Sequence, residues 1–401
     1  PTGWRQWGRV QWVVALGLAP LLFFLFGRAS LIAPLVNLLL VPWFSLVLVP
    51  AVLIGVPLLN LPLLAGPWMD LTQTLAQITL HLLSWSAQLP YAMVSLPALT
   101  EWVWFAGVTG VLLLLLPRGM PGRPLGLLLM VPMLVHQPAR ISPGSLHFTL
   151  LDVGQGLSSV LESAGHVLVY DTGPAFASGY NAAESVLMPF LRSRGIERVD
   201  LLIVSNGDRD HAGGVESLRG NLEIGRILSG EPAAFADAEP CRAGMRWVWD
   251  GVAFEVLHPD SGEDYSQAND LSCVLKVSTT GGTLLLPGDV QRAAEERLVR
   301  VYDEQLRADI LAAPHHGSNT SSSPAFVRRV DPQYVLFATG YRNRFGFPKS
   351  EVLSRWRDAG AQLYDSAKTG AIQFRLLTGK PLGSPSLYRQ QHPHYWSSRD
   401  E

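Results

Sequence analysis

Apolar residues run almost unbroken through the first third of the chain, then give way to short alternating stretches. No charged residue occurs over residues 29–67, nor over residues 71–100, where His81 is the nearest approach to one. A helix that crosses a bilayer needs about 20 apolar residues, each rising about 1.5 Å. Residues 10–26, 31–59, 102–116 and 125–135 qualify or nearly qualify, and the last is short enough to tilt or insert only partly. Pro34, Pro42, Pro50 and Pro57 punctuate the second stretch. They free backbone carbonyls, so that stretch is expected to kink or re-enter, buried in protein or lining a cavity.

Residues 70–89 follow a different pattern. Leu71, Leu75, Ile78, Leu82, Trp85 and Leu89 step by four and three and so share one helical face. Thr72, Gln73, Thr74, Gln77, His81, Ser84 and Gln88 fill the rest. A half-polar, uncharged helix either lies flat at the membrane interface or turns its polar side to a water-filled path. His81 reads as a residue of that polar side rather than as a proton relay.

Beyond residue 140 short β-branched runs alternate with helical ones. Strands are expected at 146–152, 158–162, 167–170, 201–204, 254–257, 273–277, 283–286, 310–312 and 334–338. Helices are expected at 182–194, 213–218, 293–302, 324–329 and 350–359. That is a layered α/β domain. Composition sharpens the division. The 401 residues are only 16% charged, against about 25% in ordinary globular chains. Residues 1–140 hold six arginines against Asp70 and Glu101, which leaves 25 basic and 31 acidic residues for the remainder. A single soluble globule and intrinsic disorder are both excluded. The apolar opening at Pro1 reads as the latter piece of a longer protein. Cys241 and Cys273 are the two cysteines; they are too few for a thiolate zinc site, and one bridge between them is left open.

The chemistry gathers at strand ends. Ser205-Asn-Gly-Asp-Arg-Asp-His-Ala-Gly-Gly follows the 201–204 strand and crowds Asp208, Asp210 and His211 onto one turn. Such groups repel or desolvate one another unless a cation gathers them. A helix N-cap needs a single carboxylate, so a metal is the better reading. Asp289 closes a second strand in Leu286-Pro-Gly-Asp, and His315-His316-Gly-Ser closes a third. Adjacent histidines point apart, so one binds metal and the other positions substrate or donates a proton. His258 reads as structural.

The order Asp152-Val-Gly-Gln-Gly, Asp171-Thr-Gly, Ser205-Asn-Gly-Asp-Arg-Asp-His, Pro287-Gly-Asp289, His315-His-Gly-Ser resembles the metallo-β-lactamase-fold hydrolases. More narrowly it resembles the C-terminal domain of ComEC-type DNA-internalisation competence proteins. Ser30-Leu-Ile-Ala-Pro-Leu-Val-Asn-Leu-Leu-Leu-Val-Pro resembles that family's membrane segment. The resemblance implies a membrane α-helical bundle (residues 1–140), an αββα metallo-β-lactamase domain (residues 141–385) and a C-terminal tail (residues 386–401). It implies two divalent metals held by Asp208, Asp210, His211, Asp289 and His315, with Asp289 bridging. Asp171 orients the turn by hydrogen bonds, and Gly154 and Gly156 let the chain pass close to the site. Asp210, Asp208 and His316 are the expected catalytic groups, either histidine protonating the departing oxygen as activated water displaces a phosphodiester.

Three departures bear on that site. Asn206 stands where relatives carry the first histidine of the turn, and Asn269-Asp270 stands where other members often place another. Phe347 replaces the histidine of a His-Pro pair. Asn206 and Asp270 are therefore doubtful ligands, and the oxygen-rich first site is weak or empty. Mn²⁺ is favoured over Zn²⁺ or Mg²⁺.

The resulting reading is DNA uptake across the cytoplasmic membrane during natural transformation, with one strand degraded by a metal-dependent nuclease. The partners are single- and double-stranded DNA, the membrane, other uptake proteins and further copies of the chain. Arg342, Arg344 and Lys349, interleaved with Tyr341, Phe345 and Phe347, have the composition of a single-strand platform. A non-catalytic module of the same channel and a membrane-tethered hydrolase of small esters are the rival readings. Arg118 and Arg123 form the most basic short loop, which the positive-inside rule puts in the cytoplasm. If residues 70–89 span, the soluble domain is extracytoplasmic.

Overall fold

The computed structural model describes residues 3–90, 92–117, 119–260 and 267–393. Arg118 of the basic loop and residues 394–401 of the expected tail lie outside them. The chain divides into two compact units, Pro1–Pro138 with Arg192–Gly195 and Ala139–Leu191 with Ile196–Glu401.

Helices build the first unit: Gly3–Phe26, Ala33–Trp43, Val49–Leu58, Pro62–Ala87, Glu101–Leu115 and Leu125–Val135. The proline-rich stretch is helical throughout. A π turn at Phe44–Leu48 joins its two helices into one apolar run, Ala33–Leu58. The wider turn falls between Pro42 and Pro50, where ordinary helical hydrogen bonds lack donors. This run of 26 residues and Gln6–Phe26 of 21 are long and apolar enough to cross a membrane. Large aliphatic side chains stand outward, Leu46 at 75% exposure and Leu63 at 90%. Water disfavours that arrangement and lipid does not.

Pro62–Ala87 carries the polar pattern, with Gln73, Gln77, His81, Ser84 and Gln88 exposed along it. Hydroxyls of Thr74, Thr79 and Ser84 donate to the carbonyls four residues back, which removes bare donors from an apolar setting. The two shorter helices, Glu101–Leu115 and Leu125–Val135, pack at glycines. A Cβ on Gly110 would lie 2.7 Å from the Gly126 carbonyl, and one on Gly126 2.4 Å from the Gly110 carbonyl. Small residues let the backbones approach, as in membrane helix pairs. A short antiparallel ribbon, Arg28–Ser30 with Met93–Ser95, has no counterpart in the sequence expectations.

The second unit is the αββα sandwich of the metallo-β-lactamase fold. One sheet runs, in spatial order, Ser386–Leu387, Ile372–Leu376, Leu146–Leu150, Ser158–Glu162, Val167–Thr172, Arg198–Val204, Glu223–Ser229 and Glu239–Pro240. The other runs Gln362–Asp365, Tyr334–Phe337, Ile310–Ala312, Gly282–Leu286, Val274–Thr279, Val252–His258 and Arg246–Trp249. Period-two alternation sorts each strand between two cores. Leu201 and Ile203 join Phe148, Tyr170, Leu275 and Leu336 between the sheets, whereas Leu202 and Val204 face the helical layer with Leu187 and Leu218. Trp356, Phe326 and Leu298 fill the opposite helical layer. Ser386–Leu387, placed in the tail from sequence, pairs with Ile372–Leu376 as the sheet's edge.

Two devices tie the sheets together near one end. The buried Tyr170 hydroxyl meets the carbonyls of Cys273 at 2.5 Å and Leu286 at 3.1 Å. Cys241, just beyond the edge strand of one sheet, and Cys273, at the head of a strand in the other, form a disulfide with Cα atoms 5.8 Å apart.

Candidate metal centre

Strands from both sheets end at a common place. Val167–Thr172 delivers Asp171, whose φ of 60° is left-handed, a conformation Asp and Asn tolerate better than most side chains. That twist lets one carboxylate serve the next strand's turn. Asp171 Oδ1 accepts the Ser205 amide at 2.6 Å, and Oδ2 accepts the Ser205 hydroxyl and His211 Nδ1, each at 2.7 Å. Thr172 adds a clamp, its hydroxyl donating to the His211 carbonyl and accepting the Gly214 amide. Gly156 (φ 138°) passes so close that a Cβ there would lie 2.4 Å from the Asp210 carbonyl. That is the expected close approach. Gly154 has open space around it and does not share the role.

Asp289 enters from the other sheet. Its amide donates to the Ser272 hydroxyl at 3.1 Å, after Gly288 at φ 58°. His316 comes from the turn Pro314–Gly317, where His315, His316 and Gly317 all hold positive φ. Successive left-handed residues without glycine are unfavourable, and such strain concentrates at functional sites.

These groups converge. His211 Nε2 lies 3.1 Å from Asp289 Oδ1 and 3.2 Å from His316 Nε2, and His316 Nε2 lies 3.3 Å from Asp210 Oδ2. Asp210, His211 and His316 are the group of donors whose ligand atoms all lie within 4.8 Å of one another among the described residues. His211 has committed Nδ1–H to Asp171, so its Nε2 turns toward a second imidazole nitrogen and a carboxylate oxygen. Protons on the imidazoles satisfy these separations when no metal is bound, and a divalent cation that displaces them suits the mixed imidazole and carboxylate donors. The residues present fit a metal.

Without a cation, the same carboxylates hold protons on the imidazoles. Burial alone would lower the His211 pKa, but the Asp289 and Asp171 carboxylates carry it well above 6.5. His316 is raised in the same way, by Asp289 and Asp210 working against burial. Asp289, though buried, is held well below the usual carboxylate range by His211 and His316. At His315 burial prevails and lowers the pKa.

The expected ligands are sorted by this geometry. Asp210, His211 and Asp289 come together as expected. His316, not His315, completes the group. His315 Nε2 stands 3.8 Å from Asp289 Oδ2 and its Nδ1 meets the Thr320 hydroxyl at 3.0 Å. Asp208, expected as both a ligand and a catalytic group, is exposed and stands outside the group. Asn206 is spent on structure: Oδ1 accepts the Asp208 amide at 2.9 Å and Nδ2 reaches the Ser272 hydroxyl at 3.3 Å. Asp270 is a helix cap, its Oδ1 accepting the amides of Gln291 at 2.7 Å and Ala294 at 3.4 Å. Buried His258 bonds the Asp270 carbonyl through Nε2 at 2.6 Å. Ser272 went unread in the sequence because nothing local marks a serine that bonds the Asp289 amide and Asn206 at once.

Arg342, Arg344 and Lys349 lie on one loop, each over an aromatic ring: Tyr341 at 5.2 Å, Phe345 at 4.8 Å and Phe347 at 5.3 Å. Phe347 meets the His315 ring edge-on at 5.9 Å.

Residues 1–121 match the family described as Competence protein, and residues 151–340 match the Metallo-beta-lactamase superfamily. Competence protein ComA of Neisseria gonorrhoeae is 36% identical over 98% of this chain and 54% of its own length. ComE operon protein 3 of Bacillus subtilis (strain 168) is 26% identical over 91% of this chain and 51% of its own. The chain spans about half the length of these curated relatives. Among solved structures, the metallo-beta-lactamase fold protein YhfI from Bacillus subtilis is similar at 10% identity and a TM-score of 0.37, over 54% of this chain and 96% of that one.

Proposed function

This chain carries a competence protein family domain joined to a metallo-beta-lactamase domain, and from that pairing we propose that it takes up DNA across the cytoplasmic membrane and hydrolyses one strand at the metal centre. The carrying observation is the convergence of His211 Nε2, His316 Nε2, Asp210 and Asp289 from the ends of strands in both sheets. Superfamily membership implies divalent metal binding. Of the two divalent cations expected, with Mn²⁺ favoured and the first site weak or empty, Asp210, His211 and His316 with Asp289 would hold one. When bound, it supplies Lewis-acid polarisation of a phosphoryl oxygen and activates water near neutral pH.

The chain's own residues do the rest. Asp171 fixes the His211 ring, and Ser272 fixes the Asp289 backbone. His315, at the edge of the group with Nδ1 on Thr320, offers Nε2 to the departing oxygen. Arg342, Arg344 and Lys349 meet phosphates. The first unit's apolar helices span the membrane more than once, with the polar side of Pro62–Ala87 along the path of the strand. The division near residue 140 separates conduit from enzyme. The Cys241–Cys273 disulfide supports an extracytoplasmic location, because such bonds persist in oxidising compartments. Other uptake proteins and further copies of the chain complete the assembly.

A second reading keeps the channel and makes the domain non-catalytic. The spent amide of Asn206 and the exposed Asp208 favour it. Incubating the detergent-solubilised chain with single-stranded DNA and Mn²⁺, Mg²⁺ or Zn²⁺ separates the two. Cleavage that disappears in Asp210→Asn and Asp289→Asn supports the nuclease. No cleavage and no bound metal leaves the non-catalytic module, and cleavage of esters with DNA untouched leaves a small-ester hydrolase.

A further inference from the structure

Tyr341 and Phe345 expose 63% and 44% of their surface, although aromatic rings on a free surface are unfavourable without a partner. Their loop is held in shape rather than loose. Asn343 Nδ2 donates to the carbonyls of Gly340 at 3.1 Å and Phe347 at 2.7 Å, and its Oδ1 accepts the Phe347 amide at 2.9 Å. Little ordering entropy would therefore oppose binding to these rings.

Both ends of the loop rest on the metal centre's own supports. Gly340 sits where a Cβ would be 2.7 Å from the Gln155 amide, one residue before the Gly156 that touches Asp210. The Lys349 amide donates to the Gly317 carbonyl at 3.0 Å, one residue after His316. Between these ends the rings form a row. Phe345 stacks on Phe347 at 5.5 Å and 15°, and Phe347 meets His315 at 5.9 Å. Cations flank that row, Arg342 beside Tyr341 and Arg344 beside Phe345.

We propose that Tyr341 and Phe345 are base-stacking residues that select single-stranded over double-stranded DNA and seat a phosphate next to the stacked bases at the metal centre. The proposal rests on the phosphodiester reading above and adds its substrate class. Unpaired bases offer a π-face regardless of sequence, while duplex bases are already stacked inside the helix. Interleaved cations then meet the strand's phosphates.

The test measures binding without cleavage. Fluorescence anisotropy of the full chain in detergent with chelator would follow a labelled oligothymidylate of about 12 nucleotides, an abasic strand of equal length and a duplex. Tyr341→Ala and Phe345→Ala are each expected to weaken oligothymidylate binding about tenfold. Neither should alter binding of the abasic strand or the duplex, and Tyr341→Phe should retain the wild-type affinity. Unchanged oligothymidylate binding in both alanine variants overturns the proposal. So does an equal loss on the abasic strand, which would mark the loop as a phosphate contact or the variants as misfolded. Ring-dependent binding without metal-dependent cleavage would retain the platform and remove the nuclease reading. Cleavage without ring dependence would do the reverse.

Discussion

His211 Nδ1–H donates a hydrogen bond to Asp171 Oδ2 across 2.7 Å, with both side chains wholly shielded from solvent. The bond fixes which nitrogen faces Asp289 and His316, and it makes that nitrogen a better donor to a cation. Asp171→Asn keeps a residue that tolerates the left-handed backbone but replaces one acceptor oxygen with an amide. The expected result is metal affinity about 10–100-fold weaker in a fold that otherwise persists. Isothermal titration of Mn²⁺ into the chelator-treated chain checks it. Unchanged affinity would mean that Asp171 serves the Ser205 turn alone.

Gly156→Ala tests the close approach from the other side. The added methyl would lie 2.4 Å from the Asp210 carbonyl at a φ of 138°. Both the contact and the backbone conformation oppose it. Thermal unfolding should show a loss of about 1–3 kcal/mol, with Mn²⁺ affinity falling because Asp210 is displaced. Gly154→Ala, with open space around it but φ of 79°, should lose about 1–2 kcal/mol from backbone strain alone and keep its affinity.

What the sequence discloses and what it hides divide on physical lines. Strands such as Leu146–Leu150 and Gly282–Leu286 are legible because apolar residues crowd them and glycine or proline stands close to their ends. Glu223–Ser229 is not, since Gly225 and Arg226 break its apolar run, and Ile372–Leu376 went unread although its apolar and polar residues alternate as a half-buried strand's do. The metal-binding chemistry is visible as acids and imidazoles at strand ends. Which of His315 and His316 turns toward Asp210 is not, because the two sit on a strained turn with left-handed backbone at adjacent non-glycine residues, which no local pattern announces. Asp270 misleads for a related reason. It precedes the strand Val274–Thr279, yet its side chain caps the helix Arg292–Tyr302 across the fold, a contact that nothing local in sequence marks.

The Cys241–Cys273 bridge closes a loop across 32 positions. Constraining the unfolded chain over such a loop stabilises the fold by roughly 3–4 kcal/mol. It also anchors the centre, because the Cys273 amide donates to the Ser205 carbonyl beside the Asp171 clamp. Cys241→Ser with Cys273→Ser should lower the unfolding free energy by about that amount and abolish any effect of reductant. A wild-type midpoint that reductant leaves unmoved would contradict this account.

Glu295 supplies a pH dependence distinct from the metal centre. Its carboxylate lies buried and accepts the amides of Ser322 at 2.5 Å and Ser323 at 2.7 Å, holding Ser322 at a φ of 57°. Burial outweighs those bonds and the Arg355 guanidinium, and pushes the pKa up from 4.5 to about 7. Between those two values the folded chain keeps a proton that the unfolded chain has released. The fold therefore binds more protons, and its stability falls as pH rises across the window. The contribution is complete below 4.5 and gone above about 7, a swing on the order of 3 kcal/mol. Glu295→Gln cannot titrate, so its stability relative to wild type should rise by that amount from pH 4.5 to 7. Urea denaturation at several pH values measures the difference, and other titrating groups cancel between the two proteins. Parallel profiles would show that the two amides hold Glu295 ionised throughout, with burial too weak to protonate it.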